Sequence, residues 1–258
     1  MNVKIIGVSG SPRKGNTNIL VKECLESAET LKDVKTEFIH LADYKIEGGC
    51  THCMKCFREP SLEKLCRAYD DELNLVLKKL MEGDGFIFGS PVYWGSWSAQ
   101  FKTFVDRTHP FSGPGRPLRN KPAGAVTVAL ASIGGQEHVI AEIIRFIIFH
   151  DMIPIGIRTS WPMEGMASPW GVTGRQGFPD QIGSTTSGNR EAVKQDKAAM
   201  ACARLLGLRV AEMAKVIKAG FTLVNPENKE TKWPAGLLTP EYRTEDHHFL
   251  AYRKKEKE

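Results

Sequence analysis

The chain has 258 residues, of which 41% are hydrophobic and 25% charged. That balance supports a large core and excludes fibrous and disordered chains. Lys+Arg 35 against Asp+Glu 30 leaves a net charge of only +5, and the basic run Arg253, Lys254, Lys255 and Lys257 is interleaved with Glu256 and Glu258. This is a solvated tail and not a nucleic-acid footprint. No window reaches the 18 or so apolar residues of a membrane span, and the opening Met-Asn-Val-Lys-Ile-Ile-Gly lacks the pattern of a signal peptide. The expectation is a cytoplasmic protein without nucleic-acid or membrane partners.

Residues 3 to 9 form an apolar run that ends in Gly, Ser and Pro, as a buried strand does when it delivers a loop. Ile19, Leu20, Val21, Cys24 and Leu25 then recur at helical spacing, with Asn16, Thr17 and Asn18 ahead of them as capping candidates. The unit repeats, with strands near 35–41, 84–90, 123–131 and 152–157 and helices near 69–81, 96–108 and 136–149. Short alternating strands and helices predict an α/β fold with a doubly wound parallel sheet of five strands, helices on both faces.

Residues 158–189 hold six glycines and three prolines with little periodicity, and are expected to be a long loop and not a further element. A helix is expected over about 190–218 with Val193, Ala201, Leu205, Leu208 and Val216 on its inner stripe. Domain limits follow as 1–219 for the main body and 220–258 for an extended arm with Pro226, Pro234 and Pro240. His109, His138 and His150 each flank a helix, where capping or surface roles come first. Isolated Cys24 and Cys202 are expected in the core.

The loop Gly7-Val8-Ser9-Gly10-Ser11-Pro12-Arg13-Lys14-Gly15-Asn16-Thr17-Asn18 joins the first strand to the first helix. Hydroxyls, small residues and the amides of a helix N-terminus converge there, which suits a phosphate. Gly10 and Gly15 have P-loop spacing, but Asn16 stands where that motif needs Lys, so nucleoside triphosphate chemistry is not expected. No G-x-G-x-x-G is present to mark a dinucleotide fold. A terminal phosphate monoester remains.

A second constellation is Cys50-x2-Cys53-x2-Cys56, with Cys66 following at a longer interval inside the cysteine loop, residues 45–68. Repeated short spacing lets one loop present thiolates to three corners of a [4Fe-4S] cube, with Cys66 as the candidate fourth ligand. Zinc and a redox disulfide stay open, although zinc favours two separated pairs. The absence of Cys-x-x-Cys-His excludes a c-type haem. His52, inside the run, reads as a polar loop residue.

Gly10-Ser11-Pro12-Arg13-Lys14-Gly15-Asn16-Thr17, taken with the run from Gly89-Ser90-Pro91-Val92-Tyr93-Trp94-Gly95 to Asp106-Arg107, resembles the flavodoxin-like NAD(P)H-dependent FMN reductase and iron-sulfur flavoprotein family. Ser132-Ile133-Gly134-Gly135-Gln136-Glu137 is also similar to the tetrameric flavodoxin-like quinone reductases. The resemblance implies a sheet ordered 2-1-3-4-5 and FMN at its switch point, with no catalytic base because the flavin carries the chemistry. It implies that Ser9, Ser11, Arg13, Asn16, Thr17 and Asn18 hold the phosphate. Pro91, Val92, Tyr93, Trp94 and Gly95 would line the isoalloxazine, and Ser132, Gly134 and Gly135 would close the third side. Trp97 divides between packing and the flavin.

The function it implies is an FMN-dependent oxidoreductase passing electrons between NAD(P)H or ferredoxin, FMN and a [4Fe-4S] cluster, as a homodimer or homotetramer. An FMN or quinone reductase without a cluster and a non-enzymatic electron carrier are the alternatives. Ile133 stands where the quinone reductases carry His, which weighs against their quinone chemistry. The cysteine loop, following strand 2, is expected on the same sheet edge as the flavin loops, on the order of 10 Å from the ring.

Overall fold

The computed structural model describes residues 1–112, 116–131, 133–158, 168–176 and 189–224. Strands β1 (Val3–Ser9), β2 (Val34–His40), β3 (Gly85–Pro91) and β4 (Pro122–Ala129) form the body of a parallel sheet. Every residue of β3 and β4 is buried, because helices cover both faces of these central strands. The order β2-β1-β3-β4-β5 is the one implied by the sequence.

The fifth position departs from expectation. β5 is only Ile153–Pro154 and pairs with Pro122 and Ala123 at the start of β4. Val172–Arg175, within the stretch expected to be loop, form β6 and pair with Val126–Ala129 further along the same edge. Two short strands thus share one edge of β4. Six glycines and three prolines hid β6: a four-residue strand with Gly174 in it gives no readable alternation. The remainder of the glycine-rich stretch, and the arm beyond residue 224, lie mostly outside the described residues.

Beyond the single turn α2 (Lys55–Arg58), one face carries α3 (Leu73–Glu82), α4 (Ala99–Asp106) and α5 (Gln136–Phe149), enclosing Phe86, Phe88, Phe101, Phe104 and Phe146. The other carries α1 (Asn16–Glu29) and α6 (Lys197–Val224), which cover Ile5, Ile87, Val126 and Val128. Cys24 and Cys202 lie in this second core, as expected. The inner stripe of α6 is Ala199, Cys202, Ala203, Leu206, Val210, Ala211 and Ala214, whereas Val216 is 62% exposed. Of the expected stripe, Val193 is buried and Leu205 packs on this core, but Val216 faces outward, because the large aliphatic residues do not set the phase of the helix. Small ones face inward because α6 lies almost against the backbone of α1: a Cβ on Gly207 would sit 1.9 Å from the Cys24 carbonyl oxygen.

Lys121 enters the first core with no exposed surface, its Nζ 3.3 Å from the Met81 carbonyl. Burial pushes its ammonium down to about 7, with Asp84 opposing and Lys218 assisting that shift. Between that value and the ordinary lysine range the unfolded chain binds a proton that the folded chain does not, so this group makes stability rise with pH across the window. Lys121→Met is accordingly expected to raise the urea midpoint most at pH 7 and progressively less toward pH 10, measured against wild type at each pH.

Candidate functional site

β1, β3 and β4 run parallel, so the loops at their carboxyl ends meet on one edge of the sheet. The ladder continues past the strands: Gly10 N–H donates to the Gly89 carbonyl and Val92 N–H to the Val128 carbonyl, each at 2.8 Å. Ser98 Oγ donates to the Gly10 carbonyl at 2.5 Å, tying the first loop to the start of α4.

In the first loop, α1 begins at Asn16 after an N-cap of Gly15 that offers no side-chain cap. Its first intrahelical bond runs from Ile19 N–H to the Gly15 carbonyl. The amides of Asn16, Thr17 and Asn18 thus precede the helix's own ladder, at the positive end of its dipole. Ser9 Oγ donates to Asn18 Oδ1 at 2.6 Å, and Ser11 Oγ donates to the Arg13 carbonyl at 2.7 Å, so two expected phosphate residues brace the loop's shape. Asn16 is engaged at both ends of its amide: Nδ2 donates to the Asn189 carbonyl at 3.0 Å, and Oδ1 accepts from Val193 N–H at 2.9 Å. It reads here as a clamp between the loop and the segment that leads into α6.

The second loop, Pro91 to Gly95, is held in an uncommon backbone. Trp94 has φ 51° and Gly95 φ 80°. A left-handed tryptophan is a genuine outlier, and such strain gathers at functional sites. Trp94 is wholly exposed and Tyr93 is 43% exposed, so both rings are presented and not packed. Glu142 on α5 supports the turn, its carboxylate accepting from Ser96 Oγ at 2.9 Å and from Trp97 N–H at 3.1 Å. Trp97 packs against Phe101 at a ring separation of 5.8 Å.

In the third loop Gly135 has φ 97° and its α-carbon hydrogen faces Gly95, where a Cβ would come within 3.1 Å of the Gly95 Cα. Gln136 shapes this loop by accepting from Gly134 N–H at 2.7 Å and donating to the Ala131 carbonyl at 2.5 Å. Ser132, expected on this side, lies outside the described residues.

The cysteine loop follows β2 and runs beside α4 to its far end. Cys66 is buried, accepts from Arg107 Nε at 3.3 Å, and has its backbone held by Asn74 through Cys66 N–H to Oδ1 at 2.8 Å and Nδ2 to the carbonyl at 2.9 Å. Arg107 also pairs in two-pronged fashion with Asp71, and both side chains are inaccessible to solvent. Cys56 lies 3.8 Å from His109 Nδ1. Arg107 and His109 follow the last residue of α4, whereas the flavin loop leads into its first. At 1.5 Å per residue, roughly 12 Å of helix separates the two sites. Strand 2 does deliver the chain at the shared edge, but residues 44–72 then descend over the α3–α4 face because Tyr44, Ile46, Leu65 and Ala68 pack onto its core.

Within that loop His52 (φ 53°) and Met54 (φ 57°) are left-handed on either side of Cys53, which bends the backbone around the thiol. Cys53 is held below the ordinary thiol range chiefly by the Lys55 N–H. Burial, with Cys66, Cys50 and Cys53 as like-charged neighbours, pushes the Cys56 thiol up to about 11. Cys56 therefore feels the other three thiols, yet among the described residues no three His, Cys, Asp or Glu side chains converge as a formed metal site. His138 pairs with Glu142 at 3.5 Å and His150 bonds Thr108 at 2.8 Å, in keeping with structural roles.

Sequence reasoning missed Glu142, His40 and the Arg107–Asp71 pair. Arg107 lay inside a recognised motif, but Glu142 and Asp71 carry no local pattern that marks them.

A parallel 2-1-3-4-5 sheet with an uncapped, hydroxyl-lined first turn and two strained loops beside it defines a flavodoxin-like protein shaped for a phosphorylated ligand. Residues 3–162 match the model of the NADPH-dependent FMN reductase family. An iron-sulfur flavoprotein of Methanocaldococcus jannaschii is 40% identical over 217 residues, spanning 84% of this chain and 100% of that one. Another, from Archaeoglobus fulgidus, is 28% identical over 217 residues, spanning 84% and 98%. In solved structures, RosB with its bound intermediate gives a TM-score of 0.58 at 15% identity, covering 88% of each chain. A WrbA-like flavodoxin from Agrobacterium tumefaciens gives 0.51 at 18%, covering 83% and 99%, and both likenesses concern the fold. The chain belongs to the NADPH-dependent FMN reductase family and is an FMN-dependent oxidoreductase. Among the described residues no helix is long and apolar enough to cross a membrane.

Proposed function

We propose that this chain is an oxidoreductase of the iron-sulfur flavoprotein type, taking electrons from NAD(P)H or reduced ferredoxin and passing them through FMN and a [4Fe-4S] cluster. The observation that carries the cluster is the four-cysteine loop itself, in which burial and then Cys66, Cys50 and Cys53 push the Cys56 thiol up. Ligating iron displaces the proton that burial and those neighbours keep on Cys56. Arg107 donates an N–H toward Cys66 and a nearby positive charge suits a thiolate there.

In this reading the first-loop amides, with Ser9, Ser11, Arg13, Thr17 and Asn18, face the flavin phosphate, and Asn16 keeps their arrangement fixed. Pro91 to Gly95 and Gly134–Gly135 bring backbone groups against the ring system. FMN supplies two-electron exchange with a nicotinamide and one-electron exchange with a cluster. The protein's own task is to hold one ring face open, and Glu142 does so by fixing the turn that carries Tyr93 and Trp94. Exposed Trp94, Ile133 and Phe149 are apolar surfaces of the kind that a homodimer or homotetramer covers.

A second reading, an NAD(P)H-dependent FMN or quinone reductase whose cysteines bind no cluster, is favoured by the lack of converged ligands among the described residues. Protein purified without oxygen separates the two. A brown spectrum with stoichiometric iron and acid-labile sulfide is expected; a yellow, iron-free product would leave the reductase reading. Stopped-flow reduction by NADPH and by reduced ferredoxin then identifies the donor, and failure of both to reduce the bound flavin would overturn the proposed donors.

A further inference from the structure

The last residue of β2, His40, pairs in register with Ser9 and points behind the first loop. Its side chain is 4% exposed, and its Nε2 lies 2.8 Å from the Ser11 carbonyl oxygen. A carbonyl only accepts, so this nitrogen carries a hydrogen. Among the described residues, Nδ1 of the same ring is the single buried side-chain polar atom without a hydrogen bond. It is 3.3 Å from Asp43 Oδ1, a distance that suits an ion pair although the angle misses a hydrogen bond, and Asp43 lies 3.2 Å from Lys14 Nζ. The ring stacks on Phe38 with an interplanar angle of 12°.

A histidine satisfied by its core would have partners for both nitrogens. This one is held at Nε2 by the Ser11 carbonyl while Nδ1 faces Asp43 Oδ1 without a completed hydrogen bond, so the loop and not the core positions it. The ring lies directly behind Ser11, in the loop that the flavin reading gives to the phosphate. Its N–H fixes the Ser11 carbonyl away from the front of the loop, so that the loop's hydroxyls and amides, not a carbonyl dipole, face the anion.

We propose that His40 is a positioning residue for the phosphate of the flavin nucleotide, acting through the Ser11 carbonyl and oriented by Asp43. This rests on the flavin reading above. The proposal separates phosphate from ring, because riboflavin presents the same isoalloxazine without the anion.

The test is fluorescence titration of flavin-stripped protein with FMN and with riboflavin. His40→Phe, which keeps the stacked ring and removes both nitrogens, is expected to weaken FMN at least tenfold and to change riboflavin less than twofold. His40→Gln, whose amide restores an N–H toward Ser11, is expected to recover a large part of that loss. Asp43→Asn, on a half-exposed side chain that keeps the fold, discriminates further. Removing a negative charge near a dianion would by itself tighten FMN, whereas loss of the ring's anchor weakens it threefold or more. Equal weakening of both flavins, or tighter FMN binding by Asp43→Asn, would overturn the role of His40. Wild-type protein that took up neither flavin would instead overturn the flavin reading, and the proposal with it.

Discussion

Replacing Cys56 by Ser is expected to strip iron and acid-labile sulfide from anaerobically purified protein while FMN occupancy stays at the wild-type level. Cys56 is the thiol that feels Cys66, Cys50 and Cys53 together, so its loss removes the member common to all of those interactions. A hydroxyl is a harder and far less acidic donor than a thiol, and the expected loss of iron affinity is at least about hundredfold. The flavin is spared because its loops meet the first turn of α4, whereas Cys56 meets His109 beyond the last. Cys202→Ala is the control: that residue lies in the α1–α6 core and is expected to leave iron content unchanged. Wild-type iron content in Cys56→Ser would exclude this thiol as a ligand.

Asp71→Asn is expected to lower stability at pH 7 by about 3–5 kcal/mol, the usual consequence of leaving a buried charge without its partner. Arg107 keeps its charge at every accessible pH and has no exposed surface, so the variant must bury the guanidinium against neutral groups. Burial alone would raise the Asp71 carboxyl, but bonding to Arg107 and the Glu47 N–H overcomes it and holds that carboxyl below the usual range. A depressed carboxylate contributes stability that is fully present above the ordinary aspartate value and is lost as pH falls through the folded one. Urea unfolding should therefore show the gap between wild type and Asp71→Asn at its full size near pH 7 and shrinking below about pH 4. A constant gap down to pH 3 would mean that the pair is not what the substitution breaks. Because the same guanidinium donates to Cys66, iron content is expected to fall in this variant as well.

The order of strands and helices was legible because β1, β3 and β4 are apolar on both faces and each ends in a glycine, serine or proline turn. The loops that carry the site were legible for the same reason: Ser9, Ser11 and Thr17 lie within a few residues of one another along the chain. What resisted reading depends on distance through space. β6 exists because β4 has an unpaired edge to offer Val172–Arg175, and no property of those four residues announces it. The phase of α6 follows from backbone contact at Gly207, where smallness and not hydrophobicity decides which side faces inward. Glu142 and Asp71 are acidic residues among many, distinguished only by the Ser96 hydroxyl and the guanidinium that happen to reach them. The cysteines were recognised by spacing, but spacing could not tell that Tyr44 and Ile46 would draw their loop down the face of α4.

The clamp at Asn16 has an implication for how the molecule is made. Its amide is satisfied by the backbone of residues 189 and 193, and the helix behind it rests on α6 across Gly207. The first half of the chain supplies the groups of this turn and the bonds from Ser9, Ser11, His40 and Ser98 that shape it, but not the partners of Asn16. The order of synthesis and the order of contact thus differ: the residues of this turn come first in the chain, and the backbone that holds Asn16 comes near its end.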